Sequence, residues 1–517
     1  MSTISSTSST SNNAISSSSA LQTAAQSIIS GSTGNANIDV STLVTALVNS
    51  KTAGQTAILS TAVATDNNKA AAYTSLQTAL QNLQSSLATL SDGSFAQTFT
   101  ATASGGTGLT ATAASGAVAA SYGVTVNQIA QSQSLTSPAF DATAALGTGS
   151  MTLTVNGKSS TINLDSTNNT LSGIASAINS ASDNPGVTAS IVTGSDGAHL
   201  VLRANNSGAA NTITVAVNAT TDNGLSNLGV SSTPNTTGGQ STITTGSTAA
   251  TKWTQSSAAQ DASVTVNGVT NLSASNAVTN VITGVTLNLT QAAVTSPATT
   301  QTLTIAADTT KQATAVTNFV SSYNTLVQAM ATVGSFDNTD PTAPVTGPLF
   351  GDSTLNTIRT QMQSILGSAV NSNGVGATLQ QLGITVADGT TAGQTAGTLI
   401  VDQTALTTAL TNNPTAASTL FNSKNGLGEQ INAAITSYTA DKGILTLSAN
   451  AVQTDLKSLT AQQTTLTAYA ATLTTQYNAQ FTQLNTVLAQ MNQQQNYLTA
   501  LFGGTNSAGA LATNKSS

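Results

Sequence analysis

The chain of 517 residues contains no cysteine, which excludes disulfides, thiolate metal sites and cysteine nucleophiles. Charge is scarce. Asp, Glu, Lys and Arg make up 6% of the residues, against about 25% in an ordinary globular protein. There is one glutamate, Glu429, and one histidine, His199. The net charge is −7, and no basic cluster exists to neutralise phosphates, so no nucleic-acid partner is expected. No apolar run reaches the roughly 18 residues of a membrane span, so no membrane insertion is expected. The opening MSTISSTSSTSNNAISSSSA lacks the basic and apolar regions of a secretory signal peptide. The expectation is a cytoplasmic protein, or one that leaves by a route needing no cleaved signal.

Low charge can accompany disorder, but disorder pairs low hydrophobicity with high net charge. Here 39% of residues are hydrophobic and they recur with a period, so folded domains with soft termini are expected. At about 150 residues per domain, the length suggests three or more.

Residues 1–37 read as a disordered Ser/Thr-rich extension. A helical pattern begins at IDVSTLVTALVNSK, 38–51, with Asp39 or Ser41 as N-cap. Further on, Tyr73, Leu76, Leu80, Leu83, Leu87 and Leu90 alternate in steps of three and four, a heptad seam. SDGS, 91–94, ends it, with Gly93 suited to a helix terminus. The middle of the chain changes to period two. SYGVTVNQIA (121–130), MTLTVNGKSSTINL (151–164) and ASVTVNGVTNL (262–272) alternate like strands. The latter two place Asn-Gly between alternating segments, a hairpin signal because type I′ turns need φ > 0 twice. LSGIASAI, 171–178, reads as a short helix. Helical period returns at 308–333, near 354–366, near Gly428 and almost unbroken over 447–502. In that last piece Leu459, Leu466, Ala470, Leu473, Tyr477, Phe481, Leu484, Leu488 and Met491 share one face. From Ser458 to Asn514 no residue is charged.

The expected fold is multidomain α+β. N-terminal helices at 38–95 and a C-terminal helix at 447–502 form a coiled-coil layer. Residues 96–139 and 300–446 form a discontinuous, mixed α/β leg; 140–248 and 249–299 form antiparallel β head domains; 503–517 are a flexible tail.

Chemistry is hard to find. A catalytic His199 needs an orienting carboxylate and a nucleophile. Asp196 is near, but GSDGAHLVL reads as a turn entering a strand, with His199 a plain loop residue. DNTDP, 337–341, lacks the downstream acid of a Ca²⁺ loop and reads as a proline-terminated turn. GxxxxGK[ST], GxSxG and HExxH are absent. No enzyme, metal or cofactor is expected. Trp253 in ATKWTQ fits a partner anchor or a locally packed linker aromatic.

Taken in order, these segments resemble a known family, the flagellar filament cap family, also called hook-associated protein 2. The resemblance runs from about Ile38 to Phe502. IDVSTLVTALVNSK is similar to the family's start, and AASYGVTVNQIAQSQSLTSPAF (119–140) to its strand after the first helix. Residues 151–215 resemble a β repeat shared by cap, hook-associated and some flagellin proteins, and 258–289 a second β segment. NFVSSYNTLV, GPLFGDSTLNTIR and QYNAQFTQLNTVLAQMNQQQNYLTALF complete the series. Members usually carry charge in both terminal helices; here Asp66, Lys69, Asp455 and Lys457 are nearly all that remain.

The resemblance implies a homo-oligomeric ring of about four to six subunits at the tip of the growing filament, outside the cell. It implies flagellin as the partner folded and inserted there, with hook–filament junction proteins beside it. Export through the flagellar type III route is implied, with a cytoplasmic chaperone on the C-terminal helix. The two apolar stripes are then the oligomerisation seam. Charge-free faces suit contacts that must slip, because ion pairs fix register. An exported adhesin binding mucin or host glycans through the β head is the alternative. A different hook-associated or flagellin-like protein is a third reading, but these lack the AQFTQLNTVLAQMNQQQNYL ending.

Overall fold

A computed structural model describes residues 40–502, except 106–107, 249–250, 369, 373–374, 392 and 423–425. The expectations for 1–37, for Asp39 as a cap and for the tail 503–517 lie outside the described residues. The helices are α1 (Val40–Ser91), α2 (Leu171–Ser180), α3 (Thr309–Val333), α4 (Ser353–Gly367), α5 (Gln403–Asn412), α6 (Pro414–Asn422), α7 (Leu427–Thr439) and α8 (Ile444–Phe502). The N-terminal helical pattern is one continuous helix of 52 residues, and α8 has 59.

Scarce carboxylates fix where helices begin. Asp308 accepts from the Lys311 amide, Asp352 from Leu355, and Asp402 from Thr404 and Ala405. Each satisfies amides that the first turn leaves unpaired and sits at the positive end of the helix dipole. Gly93, after α1, takes φ 85°, where a Cβ would be strained. Both Asn-Gly turns are as expected: Asn156 and Gly157 have φ 48° and 76°, Asn267 and Gly268 47° and 86°.

Three hydrophobic cores divide the chain. The helical core joins Tyr73–Leu90 of α1 to Phe319 and Tyr323 of α3, Ile358 of α4, Phe421 of α6 and Ile431 of α7. A first β core holds Val124, Val264, Leu287 and Leu303. Its larger sheet has the order 99–103, 300–307, 120–128, 262–266, 269–273, all antiparallel. A second β core holds Met151, Ile174, Leu200, Ile213 and Trp253.

The expected boundaries change accordingly. Residues 99–130 and 300–307 pair within the first β core, not with the helical leg. The division at 248/249 also moves, because Thr254–Ser257 pairs with Ser134–Thr136 and closes the second β core. The chain runs out through each core and returns in reverse order. Period-two patterns say that a segment is a strand, but not which distant strand it meets. Trp253 is 1% exposed, and its indole donates to the Asn227 carbonyl at 3.1 Å. It is a core residue of this β unit.

Candidate assembly surface

α1 and α8 lie antiparallel along most of their length. Val44 and Val48 pack on Leu473, with Val40, Tyr477 and Phe481 beside them. Farther along, Gln55 and Leu59 line a groove with Gln462, Leu466 and Tyr469. At the base the Tyr73 hydroxyl donates to Asp352 at 2.7 Å. Burial, then the Asp352 carboxylate, push the Tyr73 pKa up to about 12. One residue thus ties the long helix to the cap of α4.

The sequence stripes divide three ways. Tyr73, Leu76, Leu80, Leu83, Leu87 and Leu90 are all buried inside the same chain, Leu80 and Leu83 fully. Contact with a second subunit through them requires opening that core. Leu459 and Leu466 are half-buried, Leu473 is buried, and Tyr477 and Phe481 are half-buried against α1. Leu484, Leu488 and Met491 are exposed, at 45%, 37% and 58%. There α8 has run past the first described residue of α1. Val487, Tyr497, Leu498 and Leu501 are exposed with them. The heptad therefore continues as an apolar overhang of about 31 Å over 482–502. Val44 and Val48 were not singled out from the sequence, though STLVTALV carries their spacing of four.

The polar face of the pair is built from hydroxyls that satisfy themselves. Thr460, Thr464, Thr467, Thr474, Thr482 and Thr486 each donate to the carbonyl four residues back at 2.7–3.0 Å. Such back-bonding engages each hydroxyl's single donor within its own helix. Within the pair a single salt bridge is found among the described residues, Lys69 to Asp66 at 3.2 Å.

His199 stands in strand Gly197–Ala204, not in a loop. Its Nδ1 is 2.8 Å from the Ser137 carbonyl and its Nε2 3.1 Å from Asp196. Both contacts raise its pKa, the carbonyl most. The Ser137 hydroxyl is engaged with the Pro138 carbonyl and the Leu200 amide, so the group is structural. In DNTDP, Asp337 and Asp340 accept from the amides of Thr339 and Thr342, two residues on. They close turns.

A helical stalk, two β units hung from it and an apolar overhang define a structural protein of the assembly type. The family model for the C-terminus of flagellar hook-associated protein 2 matches residues 259–493, and that for its N-terminus 36–133. The flagellin hook IN motif matches 150–206. The B-type flagellar hook-associated protein 2 of Pseudomonas aeruginosa is 30% identical over 441 residues, 84% of this chain and 89% of the relative. The flagellar hook-associated protein 2 of Escherichia coli is 30% identical over 407 residues, 76% and 81% of the two chains. The crystal structure of the flagellar cap protein from Escherichia coli superposes with a TM-score of 0.57 at 30% identity, over 74% of this chain and 99% of that one. The chain belongs to the flagellar hook-associated protein 2 family, the cap at the tip of the bacterial flagellar filament.

Proposed function

We propose that this chain caps the filament as a closed homo-oligomer of about four to six copies. In that ring exported flagellin folds and is inserted, and its loss to the medium is prevented. The observation that carries the reading is the α1–α8 stalk, which ends in an exposed apolar heptad with no charge. Hydroxyl and amide faces let neighbouring subunits shift without breaking ion pairs. Hook–filament junction proteins are the neighbours at the start of growth. Before export through the flagellar type III route, a cytoplasmic chaperone covers the C-terminal helix.

A deletion strain tests this. Loss of filaments, with monomeric flagellin in the medium, is expected. Normal filaments with weaker attachment to glycans would overturn it in favour of an adhesin, a reading that none of the relatives' names supports. Electron microscopy of the purified oligomer reads the subunit number.

A further inference from the structure

We propose that a cleft walled by α3, α4 and residues 395–396 binds a carboxylate carried on a short apolar body. The cleft has a volume of about 390 Å³, within the roughly 300–1,000 Å³ of small-ligand sites. None of its lining residues belongs to the α1–α8 pair, so the inference stands apart from the capping role.

The sequence builds two of the walls. In TIRTQMQ, Ile358 and Met362 are one helical turn apart and fully buried in the helical core. Arg359 and Gln363 each follow by one residue, so they share the neighbouring face of α4; Arg359 is half-buried and Gln363 exposed. α3 supplies an apolar floor of Val327 and Met330, both buried. Asn324 fixes the third wall. Its amide donates to the Leu399 carbonyl at 2.8 Å and accepts from the Leu399 N–H at 2.7 Å. That bond pair ties to α3 the segment that brings Thr395 and Ala396 to the cleft.

Donors are left over here. A guanidinium has five N–H donors, and Arg359 spends one on the Met330 carbonyl at a long 3.4 Å. Among the described residues the salt bridges are Lys69–Asp66, His199–Asp196 and Lys311–Asp308, so none of these carboxylates neutralises Arg359. Gly334 lets the guanidinium lie against the end of α3: a Cβ there would stand 3.2 Å from Arg359 Nη2 and 2.7 Å from Leu355 Cδ2. The negative end of the α3 dipole supports the cation but takes only that one hydrogen bond. Tyr323 adds a hydroxyl with no hydrogen-bond partner among the described residues; burial pushes its pKa up to about 12, which keeps it a donor. A planar fork of donors beside an apolar floor matches a carboxylate, which accepts two parallel N–H bonds. The apolar body then covers Val327 and Met330. A phosphate would meet one cation and leave that floor bare. The same carboxylate chemistry occurs on a small organic acid and at the C-terminus of a peptide.

Calorimetry and saturation-transfer NMR on the full-length protein compare N-acetyl-leucine with its uncharged isostere, N-acetyl-leucinamide. The acid should bind saturably and the amide about tenfold or more weakly. Arg359→Gln should remove the preference, and Arg359→Lys, which keeps the charge without the fork, should restore only part of it. Ala396→Phe, at an exposed position, keeps every donor and should block both ligands, so the outcome does not hang on how well an Arg359 variant folds. N-acetyl-Ala-Ala-Leu separates the two sources: tighter binding than N-acetyl-leucine supports a chain terminus, equal or weaker binding a small acid. Equal binding of acid and amide, a preference that survives Arg359→Gln, or no saturable binding at millimolar ligand would overturn the proposal.

Discussion

Replacing Leu80 and Leu83 by alanine should unfold the helical core and leave both β cores standing. Both side chains are fully buried, among residues of α3, α4 and α7 as well as their own helix. A buried Leu→Ala change costs about 2–5 kcal/mol, from lost transfer energy and the cavity left behind. The two residues are one helical turn apart, so their costs are not strictly additive. Taken together they approach the roughly 5–15 kcal/mol that holds a domain folded. The β cores share no buried residue with the helical one. Urea unfolding followed by the helical circular dichroism signal reads the first part. With a slope of about 1–3 kcal/mol per molar, a loss of about 4 kcal/mol lowers the midpoint by about 1 M or more. Amide exchange of strands Val187–Gly194 and Thr300–Ala307 reads the second. A helical midpoint that stays in place while the oligomer dissociates would refute the reasoning. The leucines would then face another subunit and not their own core.

Asp352→Ala removes both the cap of α4 and the acceptor of the Tyr73 hydroxyl; a loss of about 2–4 kcal/mol is expected. Tyr73→Phe should lose less, and a double-mutant cycle by thermal melting should find the two changes coupled. Gly268→Ala should cost about 1–2 kcal/mol, purely from φ 86°, since a Cβ there meets nothing within 4 Å; a melt of the variant checks it. Asp141, Asp165 and Asp222 accept hydrogen bonds that hold their pKa values below the usual carboxylate range. Their contribution is present above about pH 4 and is lost as pH falls through the lowered values, so acid should raise exchange in the second β core before the α1–α8 stalk. His199 works in the opposite sense: its raised pKa gives a contribution present below about pH 6.5 and lost as pH rises through the shifted value, and His199→Gln should flatten that slope. Oligomer affinity, measured by ultracentrifugation from low to high NaCl, should move by less than about tenfold, because screening acts on charges and none lies between Ser458 and Asn514.

Helices, hairpins and the two apolar stripes were legible in the sequence because they rest on local signals. Asn156-Gly157 and Asn267-Gly268 specify their turns within two residues, and Leu76 to Leu90 specify a buried face within five turns. The partner of that face was not legible. A heptad tells that something apolar covers it, not whether the cover is α3 and α7 of the same chain or another molecule. Leu83, Leu473 and Leu488 look alike in sequence, yet one is fully buried, one is covered only by the start of α1, and one is 37% exposed. What separates them is which elements of the fold lie against each, such as the 308–439 segment that folds back over the first, and that is a non-local fact. The β boundaries were missed for the same reason, since the strand at 300–307 finds its neighbours at 99–103 and 120–128 across some 200 residues. The scarcity of charge is explained by the same geometry. Asp308, Asp352 and Asp402 begin helices, and Asp92, Asp141, Asp165, Asp222, Asp337, Asp340 and Asp388 close turns or loops. Most of these carboxylates mark chain reversals, and the α1–α8 pair, with only Asp66 and Asp455 among its described residues, is otherwise left largely to leucine, threonine and glutamine. A surface so composed has packing as its main source of affinity, in keeping with the slipping contacts proposed above for the subunits of the ring.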